Sequence, residues 1–105
     1  MLKNYNVDIY NKATGQKVNG ISIPGALTWV KNIYCDLQSY STELLLKDYG
    51  WNIEVNKRIF IDYFDSDIKI GTVIKYENTQ SIIESYEVKK FIPYSNHMEV
   101  FALGI

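Results

Sequence analysis

Apolar and polar residues alternate along most of this chain, and a period of two marks strands. Residues 5–11, YNVDIYN, alternate around Val7 and Ile9 and predict a first strand. Residues 12–20 are rich in Asn, Lys and Gly and read as a loop or loose hairpin. A short edge strand is expected at 21–23, ahead of the Pro24-Gly25 turn. In residues 27–37, Leu27, Trp29, Ile33, Cys35 and Leu37 occupy odd positions, and only Lys31 breaks the row. Odd residues of a strand share one face. A long strand with that face in the core is therefore expected, with Asn32, Asp36 and Gln38 outward and Val30 and Tyr34 half covered. A second odd row, Trp51, Ile53, Val55, Ile59, Ile61 and Tyr63, predicts another long strand over 51–63, bent near Lys57 and Arg58. Further strands are expected at 72–77, at 82–92 with Tyr86, Val88 and Ile92 on one face, and at 98–103. The connections are short except for one.

That exception lies between the two long strands. Ser39 or Ser41 suits a helix N-cap, because a short side-chain oxygen accepts from an orphan amide of the first turn. Glu43 sits where the helix dipole favours an acid. Leu44, Leu45, Leu46 and Lys47 are good helix formers, and Gly50 suits the left-handed residue after a helix. About two turns of helix are marginal alone, so this one must lean on its own core or on a neighbouring subunit. The predicted architecture is a single mainly β domain over 1–105. It is a small antiparallel β-barrel or sandwich of five to seven strands, with one short helical insertion at about residues 39–50.

Composition removes several function classes. The 105 residues carry 11 Lys and Arg against 12 Asp and Glu, a net charge of −1, with the two signs interleaved. A basic patch for phosphate neutralisation is not visible, which disfavours nucleic-acid binding. No window approaches the roughly 18 apolar residues of a spanning helix, and the N-terminal stretch lacks the apolar segment of a signal peptide. A soluble, non-exported protein with no membrane partner is expected. A single cysteine, Cys35, allows no internal disulfide and reads as a buried structural thiol.

Candidate chemistry is thin. His97 is the sole histidine, set in a turn beside Ser95 and Asn96 with no nucleophile elbow nearby. Asp62, Asp65 and Asp67 cluster in DYFDSD, but the spacing continues to neither the glycine nor the distal glutamate of an EF-hand, so they read as turn formers. No catalytic, cofactor-binding or metal-binding residues are therefore expected, and neither is an enzyme. The 9 tyrosines fit strand faces and protein interfaces better than a base-stacking platform, which wants a basic groove beside it.

One resemblance runs through most of the chain. The segments DLQSYSTELLLKDYG, NKRIFID, DIKIGTVIKYEN and YEVKKFIPYSNHMEVFAL occur in that order over roughly residues 33–103. They comprise a strand ending in Asp36 and Gln38 and an insertion with Tyr40, Ser41, Glu43, Tyr49 and Gly50. A strand with Arg58 and Phe60 follows, then a hairpin strand with Ile68, Gly71, Ile74 and Tyr76. A strand with Tyr86 and Val88 and a closing strand near 97–103 complete the series. This order resembles the small head-completion proteins of long-tailed bacteriophages, also called head closure, head–tail joining or stopper proteins. The resemblance implies a small β-barrel whose copies form a ring beneath the portal and adaptor. That ring closes or lines the DNA channel and offers a docking surface to the tail and its terminator. It places the protein in the virion at the head–tail interface, assembled in the host cytoplasm, with DNA passing through unbound. The channel-lining or subunit-bridging segment would be Gln38, Ser39, Tyr40, Ser41, Thr42, Glu43, Leu44, Leu45, Leu46, Lys47, Asp48, Tyr49 and Gly50. An arm reaching a neighbour would include Lys12, Thr14, Gln16 and Lys17. The alternative from the residues alone is a small OB- or SH3-like barrel that binds a peptide or single-stranded nucleic acid.

Overall fold

The computed structural model describes residues 5–12, 16–18, 21–23 and 26–105. Eight strands and one helix follow in the order β1 (Tyr5–Lys12), β2 (Gln16–Val18), β3 (Ile21–Ile23), β4 (Leu27–Ser39), α1 (Thr42–Tyr49), β5 (Lys57–Ile61), β6 (Val73–Glu77), β7 (Ile83–Pro93) and β8 (Met98–Gly104). Six of them close an antiparallel barrel in the order β1-β4-β5-β8-β7-β6, with β6 pairing back onto β1. Full closure leaves no unpaired edge within the barrel. β2 and β3 form a separate two-stranded sheet, pairing Gln16 with Ile23 and Val18 with Ile21. The expected small β-barrel with one helical insertion is what the chain forms.

The barrel interior follows from the alternation. Val7 and Ile9, Ile33 and Cys35, Ile59 and Ile61, and Val100 and Ala102 point inward from adjacent strands and are buried. Burial pushes the Cys35 thiol up to about 12, with Asp36 adding to the shift. The folded protein is therefore expected to react with an aromatic disulfide reagent at neutral pH far more slowly than in denaturant. Equal rates in both conditions would contradict the buried position.

Three expectations about facing need correction. Leu27 and Trp29 do not join the core, being 41% and 55% exposed, and Tyr34 is open to solvent rather than half covered. Tyr34 simply alternates outward between buried Ile33 and Cys35, whereas for Leu27 and Trp29 the cause is a bulge. The ladder pairs Ile9 with Lys31 and then Tyr10 with Trp29, leaving Val30 as the extra residue. One extra residue exchanges inside for outside, so Val30 packs against the core and its neighbours turn outward. A second bulge does the same in β7, where Val88 pairs with Ala102 and Lys90 with Phe101. Beyond it Phe91 packs on the interior, while Ile92 lies on the opposite side from Tyr86 and Val88. Residues 51–56 are not strand: β5 begins at Lys57, and Trp51, Ile53 and Val55 serve a second core outside the barrel.

That second core is the seat of α1. Phe101 points outward from β8 yet is fully buried, together with Leu45 and Val55, and Tyr40, Tyr49, Trp51, Ile53 and Ile92 close around it. The helix therefore leans on its own barrel.

Candidate functional site

The predicted insertion, residues 38–50, folds as one unit on the barrel wall. Gln38 and Ser39 end β4, opposite Arg58 and Lys57. Gln38 accepts from Arg58 Nη2 at 3.1 Å through Oε1 and donates to Asp36 at 2.9 Å. Tyr40 donates its amide to the Asn56 carbonyl and its hydroxyl to Asp48 at 2.8 Å. Its ring and that of Phe60 stack on the Arg58 guanidinium, 4.7 and 4.9 Å from the centroids. Ser41, not Ser39, is the N-cap, its Oγ accepting from the Leu44 amide at 3.1 Å. Thr42 Oγ1 accepts from the Val55 amide at 3.1 Å and so ties the helix start to the returning chain. Gly50 closes the helix at φ 76° and donates to the Leu46 carbonyl at 2.8 Å; a side chain there would be strained.

The outward side of α1 is mixed. Leu45 is buried, whereas Glu43, Leu44, Leu46, Lys47 and Asp48 face solvent. Tyr49 stacks on Trp51 at 5.3 Å and donates its hydroxyl to Glu99 at 2.8 Å. Burial and these acceptors push Tyr40 and Tyr49 up to about 12, with burial the larger cause in each. Both phenols therefore stay protonated and donating across the neutral range.

The predicted arm divides. Lys12 is the last residue of β1, its ammonium 3.5 Å from Glu87. Gln16 and Lys17 belong to β2, and Thr14 lies outside the described residues. The hairpin leaves the barrel between β1 and β4, with Leu27 paired to Lys12 at its foot and Trp29 next to it.

The other sequence candidates settle into structural roles. His97 lies in the β7–β8 turn, stacked on Tyr94 at 4.2 Å. Asp65 is buried and accepts from Lys31 at 3.2 Å, from the Tyr63 hydroxyl and from the Asp67 amide. Lys31 also meets Asp67 at 2.7 Å, and this bond, ahead of that to Asp65, raises its pKa. So the break in the odd row of β4 is the cation that ties that strand to the segment between β5 and β6. Among the described residues no group of His, Cys, Asp and Glu could hold a metal ion. Sequence reasoning missed the exposed Trp29 and the packing role of Phe101; no local pattern marks a bulge in advance.

No family model matches the chain, and no curated protein matches it in sequence. Among solved structures, the solution structure of protein SF1141 from Shigella flexneri 2a is similar. Its TM-score is 0.72 at 12% identity, covering 96% of this chain and 91% of that one. At that identity the likeness bears on the fold alone.

Proposed function

We propose that this chain is a ring-forming connector subunit of the phage head-completion type. Copies would sit between a portal–adaptor ring and the tail of a virion, lining or closing the channel through which DNA passes without specific binding. The observation that carries this reading is the β2–β3 hairpin. It pairs with itself instead of with the closed barrel, and it emerges beside Leu27 and Trp29, two large apolar side chains exposed at its foot. A barrel without edges cannot recruit a copy by strand addition, so association has to use faces and protrusions. Tryptophan is also among the residues most enriched at interface centres. α1 adds a second exposed surface through Leu44 and Leu46, while its own barrel already buries Leu45.

The test is the mass of the purified protein, alone and mixed with portal–adaptor assemblies from the same genome. The full chain is expected to join those assemblies as a ring. A chain lacking residues 13–24, and Trp29→Ala separately, are expected to lose recruitment while the barrel still melts cooperatively. The Arg58 stack on Tyr40 and Phe60 is a feature that favours the binding-module alternative. A full chain that ignores the assemblies but retains labelled single-stranded DNA or a peptide would establish that alternative instead.

A further inference from the structure

The β6–β7 hairpin tip is stiff and apolar at once. Asn78 organises it: its Oδ1 accepts from the Gln80 and Ile82 amides at 2.9 and 3.1 Å, and its Nδ2 donates to Glu84 at 3.0 Å. Its backbone amide donates to the Ile82 carbonyl, and its carbonyl accepts from Ser81. Ser81 is held at φ 60°, a conformation that a non-glycine residue keeps only where its surroundings impose it. This scaffold presents Ile82 and Ile83, 56% and 63% exposed, beside an exposed Glu77. A rigid loop that holds two isoleucines in water is preorganised for contact, since its ordering cost falls before binding.

The opposite end of β6 carries the complement. Asn11, Lys12, Lys69, Ile70, Gly71 and Thr72 line a recess of about 130 Å³, with room for one branched aliphatic side chain. Its rim is apolar at Ile70, which is 64% exposed, and cationic at Lys69, which makes no ion pair among the described residues. The recess opens at the foot of the β2–β3 hairpin, where β1 ends at Lys12. The five residues of β6 place tip and recess roughly 16 Å apart, so one molecule cannot satisfy itself.

We infer that the β6–β7 tip of one copy docks in the Lys69–Ile70 recess of the next. Ile82 enters the recess, and Glu77 meets Lys69. The contact is heterologous, pairing different surfaces of identical chains, and such contacts repeat around a ring when the rotation closes. The inference deepens the connector reading and rests on it for the closed ring. The charge pair selects the direction of docking and makes it salt-sensitive.

Sedimentation of the full chain over a range of concentrations tests this with Lys69→Glu and Glu77→Lys, both exposed positions whose melting curves should stay unchanged. Wild type is expected to gain mass with concentration. Each variant alone presents like charges at tip and recess and is expected to associate at least tenfold more weakly. An equimolar mixture of the two restores opposite charges at every contact and is expected to recover the wild-type behaviour. Variants that associate as wild type does, or a mixture no better than its components, would overturn the docking. So would a wild type that stays monomeric while the same variants lose binding to a different protein. If both variants still join portal–adaptor assemblies as wild type does, the docking fails and the connector reading stands. If the mixture rescues association but wild type ignores those assemblies, the docking stands and the connector reading fails.

Discussion

Phe101→Ala is expected to cost about 4 kcal/mol, within the range for deleting a buried phenylalanine. It should lower the melting temperature by roughly 20 °C in a domain of this size. Phe101 is the fully buried barrel side chain at the centre of the core that barrel and helix share, with Ile92 of β7 packed beside it. It leaves β8 on the outer face, yet it is fully buried because Leu45 and Val55 cover it. Tyr40, Tyr49 and Trp51 surround its ring at 5.6, 5.4 and 6.2 Å. Alanine would leave a cavity facing three aromatic rings that a two-turn helix cannot collapse into. α1 has too few turns to persist alone, so it should detach before the barrel melts. The measurement is helical circular dichroism followed together with tryptophan fluorescence during heating. The helix signal of the variant should fall first, where wild type loses both together. Phe101→Leu should keep most of the packing and cost about 1–2 kcal/mol. A Phe101→Ala protein within about 1 kcal/mol of wild type would mean that α1 is held elsewhere, at the Thr42 and Tyr49 hydrogen bonds.

The elements that local chemistry dictates were legible in the sequence. Alternation marks β1, β6 and β8 to within a residue or two, and the helix is bounded by a capping serine and a left-handed glycine, both read from residue type. What the pattern could not carry is anything set by a partner strand. The bulges at Val30 and Lys89 exist because neighbouring strands impose a register, and each flips every apolar position beyond it. Trp29 and Ile92 therefore face away from where an uninterrupted strand would put them. Residues 51–56 alternate as a strand would, but they pack against α1, and only the helix position explains why Trp51 and Val55 are apolar. The helical insertion, residues 38–50, is contiguous in sequence and in space. The recess at Lys69–Ile70 joins two distant stretches, 11–12 and 69–72, and no single window contains it.

Raising the pH should unfold the protein cooperatively between about pH 10 and 12, and the helix seat should be the first part to respond. Tyr40 and Tyr49 move from the ordinary phenol value of 10.0 up to about 12, through burial first and then their bonds to Asp48 and Glu99. Tyr86 is pushed up further by burial and by its bond to Glu84, and Tyr63 rises through burial beside Asp65. Cys35 moves from 9.0 to about 12, and Lys31 also rises through its bonds to Asp67 and Asp65. Each of these groups holds its proton more tightly folded than unfolded. Their contribution to stability is complete below the unfolded pKa, declines once the unfolded chain releases protons above it, and is gone beyond the folded pKa. All six shift in the same direction, so their losses accumulate in one window. On the acid side Glu84 and Glu87 are lowered, chiefly by their bonds to Tyr86 and Lys89, so their share is present above the usual carboxylate value and is lost as pH falls below it through their lowered folded values. The measurement is phenolate absorbance against pH, read with near-ultraviolet circular dichroism. A late, steep ionisation coinciding with loss of aromatic dichroism is expected. Tyr49→Phe should make that loss shallower, because the ring stack on Trp51 survives while the titrating hydroxyl does not. Tyrosines that ionise gradually around pH 10 with the dichroism intact would mean that α1 does not shelter them, and that the shared core at Phe101 is open to water.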